Sequence, residues 1–218
     1  MMSAEILKKL TDLIIKGKVL ETVSLTKEAV KEELSVKIIL EEGLMPGIRA
    51  VGDLFSRGEI YLPELLLSGK AMNAAVEEIG PLLSEGKGDF FRAGKFLIGT
   101  VKGDIHDIGK KIVIMMLKGN GWEVTDLGVD VPPEKICEAI KNGDYDIFGM
   151  STLITVTMPA ARETVNAIEK AGLRKKLKIM IGGAPVTQEF ADKIGADGYA
   201  KDASEAVAKA LSLLGRTR

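Results

Sequence analysis

The hydrophobic period of this chain changes near residue 86, and the two periods demand two kinds of fold. Before that point the apolar residues recur at helical spacing, as in Ile6, Leu7, Leu10, Leu13 and Ile14. A second helix is expected from Val19 to Leu34, after Gly17. A third is expected from Val36 with Ser35 as its N-cap, interrupted near Gly43 and Pro46 and continued by Ile48 to Phe55 up to Arg57-Gly58. A last helix is expected to open near Pro63 and cover Leu65 to Leu83. Apolar-faced helices with short connections pack as an antiparallel bundle.

After residue 86 short apolar runs alternate with helical ones. Strands are expected at Lys95–Val101, Glu123–Leu127, Ile147–Ser151, Lys178–Ile181 and Gly198–Ala200. Helices are expected at Ile108–Gly119, Pro133–Lys141, Pro159–Ala171, Thr187–Ile194 and Ser204–Leu214. This alternation specifies an α/β domain with a five-stranded parallel, doubly wound sheet, in the flavodoxin-like (Rossmann-type) order 2-1-3-4-5. The stretch from Ser84 to Gly94 is rich in glycine and charge. The expected organisation is therefore a helical bundle over 1–86, a linker over 87–94 and an α/β domain over 95–218.

That order gathers three loops on one sheet edge: Lys102–Gly109, Ser151–Thr157 and Gly182–Thr187. The first carries the only histidine of the chain, His106, two residues after Asp104 and three before Gly109. In an extended loop, residues two apart point the same way, so Asp104 is placed to orient the imidazole. The second loop, Ser151-Thr152-Leu153-Ile154-Thr155-Val156-Thr157, supplies hydroxyls. In the third, Gly182-Gly183 leaves bare backbone for a flat or long ligand. Each piece alone has a plainer reading. A loop histidine can be a surface residue, Asp107 a helix N-cap, Asp104 a turn former and Gly182-Gly183 a strand end. Trp122 and Met115-Met116 read as core.

The lone Cys137 excludes an intrachain disulfide and cysteine-cluster metal sites, and reads as a small core residue. A net charge of −1 gives no reason to expect nucleic acid or an anionic membrane as partner. No apolar run reaches about 18 residues, and the N-terminus does not resemble a signal peptide, so a cytoplasmic protein is expected.

Asp104-x-His106-x-x-Gly109, Ser151-x-Leu153 and Gly182-Gly183, in that order and spacing, resemble the cobalamin-binding signature shared by methionine synthase and the corrinoid proteins of anaerobic methyltransferase systems. The segment Gly52-Asp53-Leu54-Phe55-Ser56-Arg57-Gly58-Glu59-Ile60-Tyr61-Leu62-Pro63-Glu64-Leu65 resembles the helical cap of that family, so the resemblance spans nearly the whole chain. It implies a corrinoid held base-off and His-on, with His106 as lower axial ligand of cobalt and methylcobalamin as the loaded form. Asp104 would hydrogen-bond the other ring nitrogen, and Thr157 would extend the relay where the family often has serine. Ser151 and Leu153 would flank the displaced nucleotide tail, Gly182 and Gly183 would leave it room, and Gly109 and Thr155 would be further cofactor-binding residues. Phe55, Leu62 and Leu65 would cover the methyl-bearing face, unless they are simply bundle core.

The resemblance further implies a methyl shuttle that does not catalyse transfer alone. No barrel domain for a methyl donor is expected. The partners it implies are a donor-specific methyltransferase, a second methyltransferase for the acceptor and a reductive activator. The rival readings are a cobalamin-binding sensor, which needs an output element such as a helix-turn-helix, and the small subunit of a cobalamin-dependent isomerase, which does not usually carry this cap. A receiver-type domain is a more distant rival and calls for an aspartate where this chain has Ser151. The identity of the methyl donor does not follow from the sequence.

Overall fold

A computed structural model describes residues 2–84 and 93–216. The chain divides into two compact units, Met1–Phe91 with Lys118–Gly121, and Arg92–Leu117 with Trp122–Arg218. The stretch expected as a linker lies outside the described residues except at its end, where Gly94 opens the first strand. No helix among the described residues is long and apolar enough to cross a membrane.

The first unit holds α1 (Met2–Ile15), α2 (Val19–Lys31), a single turn α3 (Val36–Ile38), α4 (Met45–Ser56) and α5 (Leu62–Ser84). Their apolar stripes meet in a core that includes Leu10, Ile14, Ile39, Leu44, Ile48, Leu65, Met72 and Ile79, all essentially free of solvent. Ser35 caps α3 as expected, its Oγ accepting from the Ile38 N–H at 3.3 Å. The expected interruption near Gly43 and Pro46 is not a break. Residues Ile39–Leu44 form a π-helical turn that joins α3 to α4 with helical backbone throughout. The Thr11 hydroxyl donates to the Gly43 carbonyl at 2.7 Å, so α1 supplies a partner where the ladder widens. Gly47 permits the close crossing, because a Cβ there would lie 2.7 Å from Ile14 Cβ. Pro46 directly follows the π turn, at the start of α4 and at the place where the hydrogen-bond ladder is already irregular.

The second unit is a parallel sheet of β1 (Gly94–Thr100), β2 (Trp122–Asp126), β3 (Ile147–Ser151), β4 (Lys178–Gly182) and β5 (Gly198–Ala200). Between and after the strands lie α6 (Ile108–Gly119), α7 (Pro133–Asn142), α8 (Met158–Lys170), α9 (Gln188–Ile194) and α10 (Ala203–Leu213). The strand order is β2-β1-β3-β4-β5, as expected. Strand β1 is buried on both faces, which is why it reads as a continuous apolar run. Leu97 joins Phe148, Ile179, Val165 and Ile168 in one cluster. Its neighbour Phe96 faces the other way and meets Trp122 edge-to-face, ring centroids 5.6 Å apart.

Register sets the site. Thr100 pairs with Ser151, Ser151 with Gly182, and Gly182 with Ala200. Four strands therefore end in one row, and the loops after β1, β3 and β4 leave from the same edge at the reversal of strand order.

Candidate cofactor site

Asp104 is the centre of the site. It is completely buried, yet its carboxylate receives four hydrogen bonds. Oδ1 accepts from the His106 backbone N–H at 3.0 Å and lies 2.7 Å from His106 Nδ1. Oδ2 accepts from the Leu153 N–H at 2.7 Å and the Thr157 hydroxyl at 3.0 Å. Burial alone would raise the carboxyl's pKa. The donors from Leu153, His106 and Thr157 overcome it and hold the group down to about 2, from an ordinary 3.8. A buried carboxylate that stays ionised accepts only, so His106 carries a proton on Nδ1, and Nε2 is the ring atom left to meet a metal.

The loop is braced from both sides. The Thr100 hydroxyl donates to the His106 carbonyl at 3.0 Å. The Asp130 N–H donates to the Asp104 carbonyl at 2.9 Å, while Asp130 Oδ1 accepts from the Gly103 N–H at 2.7 Å. Asp130 has φ of 50°, an uncommon value for a non-glycine residue, and makes this reciprocal clamp from it. Asp107 ion-pairs with Lys111 at 2.6 Å, one turn on. Lys110, whose side chain is buried, pairs with Asp126 at the end of β2 and ties the first turn of α6 to the sheet.

Around this buried network the surface is apolar. The imidazole is about half exposed, at 48%. Ile105 and Ile108 beside it are 73% and 65% exposed. Leu153, Ile154 and Val156, on the loop that Asp104 holds through Leu153, are exposed as well. Large aliphatic side chains exposed together on two adjoining loops mark a surface that a ligand or another molecule covers. A Cβ on Gly109 would meet nothing within 4 Å, so the start of α6 is open. No cluster of three or more His, Cys, Asp or Glu able to hold a metal exists among the described residues. One oriented imidazole on an apolar bed suits a metal whose other ligands come from its own macrocycle, as cobalt's do in a corrinoid. The residues present fit that group.

The structure brings together Asp104, His106, Leu153 and Thr157. Gly182 and Gly183 adjoin them. The Thr152 N–H donates to the Gly182 carbonyl at 3.1 Å, and a Cβ on Gly183 would lie 1.7 Å from the Thr152 carbonyl oxygen. Gly183 (φ 134°) is thus required by the packing of two backbones, whatever lies above it. Ser151 joins the row through its backbone, its carbonyl accepting from the Val101 N–H. Thr155 is exposed in a short 3-10 turn, outside the hydrogen-bonded set. Phe55, Leu62 and Leu65 belong to the helical unit, where Phe55 and Leu62 are partly exposed and Leu65 is fully buried. Three residues not singled out from sequence take part: Thr100, Asp130 and Thr152. Thr152 is completely buried, with its hydroxyl 2.6 Å from that of Thr157. It stood inside the hydroxyl-bearing loop, but spacing does not distinguish a buried threonine from an exposed one.

Comparison with known proteins gives a matching picture. Two family models, both described as a B12 binding domain, match residues 94–208 and 6–79. Dimethylamine corrinoid protein 1 of Methanosarcina acetivorans is 45% identical over 214 residues, covering 98% of this chain and all of the relative. Among solved structures, a cobalamin-binding protein from Desulfitobacterium hafniense aligns with a TM-score of 0.77 at 29% identity, covering 95% of this chain and 98% of its own. A chain of the methanol:cobalamin methyltransferase complex of Methanosarcina barkeri aligns with a TM-score of 0.83 at 27% identity, covering 98% of this chain and 81% of its own. A sensor or an isomerase subunit is not favoured by these matches. The chain belongs to the B12-binding corrinoid proteins and is a methyl-shuttle subunit of a methyltransferase system.

Proposed function

We propose that this subunit binds its corrinoid base-off and His-on, with methylcobalamin as the loaded form, and that a methylamine, dimethylamine first, is the source of the methyl group. The observation that carries the ligand assignment is the 2.7 Å bond from His106 Nδ1 to a carboxylate held ionised by three further donors. It commits the ring to one tautomer and makes Nε2 the ligating atom. When bound, the corrinoid supplies the cobalt that takes up a methyl group and gives it up again.

The chain's own residues hold and tune that group. His106 would hold the cobalt through Nε2. Asp104 fixes its tautomer and orientation, and Thr157 shares the carboxylate's charge. The exposed Ile105, Ile108, Leu153 and Val156 would pack against the bound group and exclude water from it. Gly109, Ser151, Leu153, Thr155, Gly182 and Gly183 line the path of the displaced nucleotide tail. A donor-specific methyltransferase, a second methyltransferase for the acceptor and a reductive activator are the partners this role requires.

Dimethylamine is favoured over methanol because identity to the dimethylamine corrinoid protein is 45% over nearly the full chain, against 27% to the chain from the methanol complex. Two measurements test the reading. Protein loaded with cobalamin and reduced to cobalt(II) is expected to show nitrogen splitting in its electron paramagnetic resonance spectrum, lost in His106→Gly. A spectrum unchanged by that substitution overturns the ligand assignment. Methyl loading is then compared with dimethylamine, methylamine and methanol, each with its own methyltransferase. Loading by the methanol enzyme alone overturns the donor assignment.

A further inference from the structure

Thr157 Oγ1 has one proton and three oxygen neighbours: Thr152 Oγ1 at 2.6 Å, Ile154 O at 2.9 Å and Asp104 Oδ2 at 3.0 Å. The carbonyl and the carboxylate only accept. The Thr152 hydroxyl is buried, and Thr157 is the one partner found for it among the described residues. If Thr157 donated to Thr152, the Thr152 proton would be buried without an acceptor, and Thr157 would face two acceptors lone pair to lone pair. Both are costly in a site closed to water. Thr152 therefore donates to Thr157. The Thr157 proton then goes to the charged acceptor, which outcompetes a neutral carbonyl at nearly equal distance.

The consequence runs along the chain of bonds. A hydroxyl that accepts a hydrogen bond becomes a stronger donor. Thr157, so strengthened, draws carboxylate charge toward Oδ2. Less charge remains on Oδ1, the oxygen that pulls on the His106 Nδ1–H. The imidazole then receives less electron density through Nδ1, and Nε2 is a weaker ligand. We propose that Thr152 is a positioning residue that directs the Thr157 proton onto Asp104 and so weakens the hold of His106 on cobalt, easing the release of the lower ligand on reduction. The inference rests on the assignment of His106 as that ligand and adds a fourth residue, Thr152, to the Thr157–Asp104–His106 relay.

Thr152→Val removes the hydroxyl at nearly constant shape and leaves intact the backbone that packs on Gly183. The cobalamin-loaded protein and its Thr152→Val, Thr152→Ala and Thr152→Ser variants are titrated electrochemically from cobalt(II) to cobalt(I), with the redox titrant as electron source. Thr152→Val and Thr152→Ala are expected to hold roughly threefold less cobalt(I) at a fixed poise, a midpoint shifted to more negative potential, with Thr152→Ser restored. In a His106→Gly background the valine substitution is expected to shift nothing. An unchanged midpoint in both hydroxyl-free variants, or a shift that persists without His106, overturns the inference, while nitrogen splitting that His106→Gly abolishes leaves the ligand assignment standing. Absence of that splitting in the wild type overturns both.

Discussion

In the protein without its cofactor, Asp104 is a carboxylate enclosed by donors, with its pKa depressed to about 2 from 3.8. A group whose folded value lies below its unfolded value stabilises the fold above the unfolded value. That stabilisation is lost as pH falls toward the folded value. The second unit is therefore expected to lose on the order of 2 kcal/mol between about pH 5 and pH 2 through this one group. Chemical denaturation of cofactor-free protein over that range checks it: Asp104→Asn should flatten the slope, and parallel curves would sink the assignment. Two glycines separate folding from binding in the same way. Gly183→Ala places a methyl 1.7 Å from the Thr152 carbonyl oxygen, at a φ that side chains rarely adopt, and is expected to cost about 3 kcal/mol of cofactor-free stability. Gly109→Ala meets open space and sits in the first turn of α6, so its effect on cofactor-free stability should stay within about 0.5 kcal/mol. Cobalamin affinity should fall in both variants. An intact affinity in Gly109→Ala would remove that residue from the binding surface.

At the scale of elements, periodicity and capping chemistry made most of the structure readable. The expected bounds of β3 agree with the strand to the residue, and Ser35 caps α3 at the position a side-chain acceptor demands. The π turn at Ile39–Leu44 was not readable, because its cause lies 32 residues away in the Thr11 hydroxyl and in the close approach of α1. The reciprocal clamp of Asp130 on Gly103 and Asp104 escaped for the same reason: the two loops become neighbours only once β1 and β2 pair. A third long-range device is Lys176, whose ammonium donates to the carbonyls of Ile140, Lys141 and Gly143 at 2.6, 3.0 and 2.8 Å. It satisfies the end of α7, where carbonyls lack partners within the helix. Lys176→Met is expected to cost about 1–2 kcal/mol in cofactor-free stability. Lys176 lies at the edge where strands β3 and β4 begin, so the nitrogen splitting of the loaded protein should be unchanged. Loss of that signal would mean that the two sheet edges are coupled.

At the scale of the α/β unit, the doubly wound order was legible in the alternation of elements, and with it the edge where the loops collect. The exposure of Ile105, Ile108, Leu153, Ile154 and Val156 was not, since a hydrophobic residue in sequence reads as core until its neighbours are known. Those side chains are what the fold leaves unfinished. Covering them with a corrin face links stability to ligand: at a free concentration of about 100 times the dissociation constant, the α/β unit gains roughly 2.7 kcal/mol. Hydrogen exchange should show where that gain is made. Protection on adding cobalamin is expected over residues 102–109 and 152–157, the two loops that Asp104 joins, and not at the opposite edge around Lys176. Val156 gives the sharpest substitution, being 79% exposed and outside the hydrogen-bonded relay. Val156→Asp leaves a charge in water in the cofactor-free protein, so its unfolding should match the wild type. On binding, that charge must be desolvated where a valine had been buried favourably, and affinity for cobalamin is expected to drop at least about tenfold. Equal affinity in the variant would take the β3–α8 loop away from the corrin, and with it the reading of the exposed aliphatic bed as a cofactor surface.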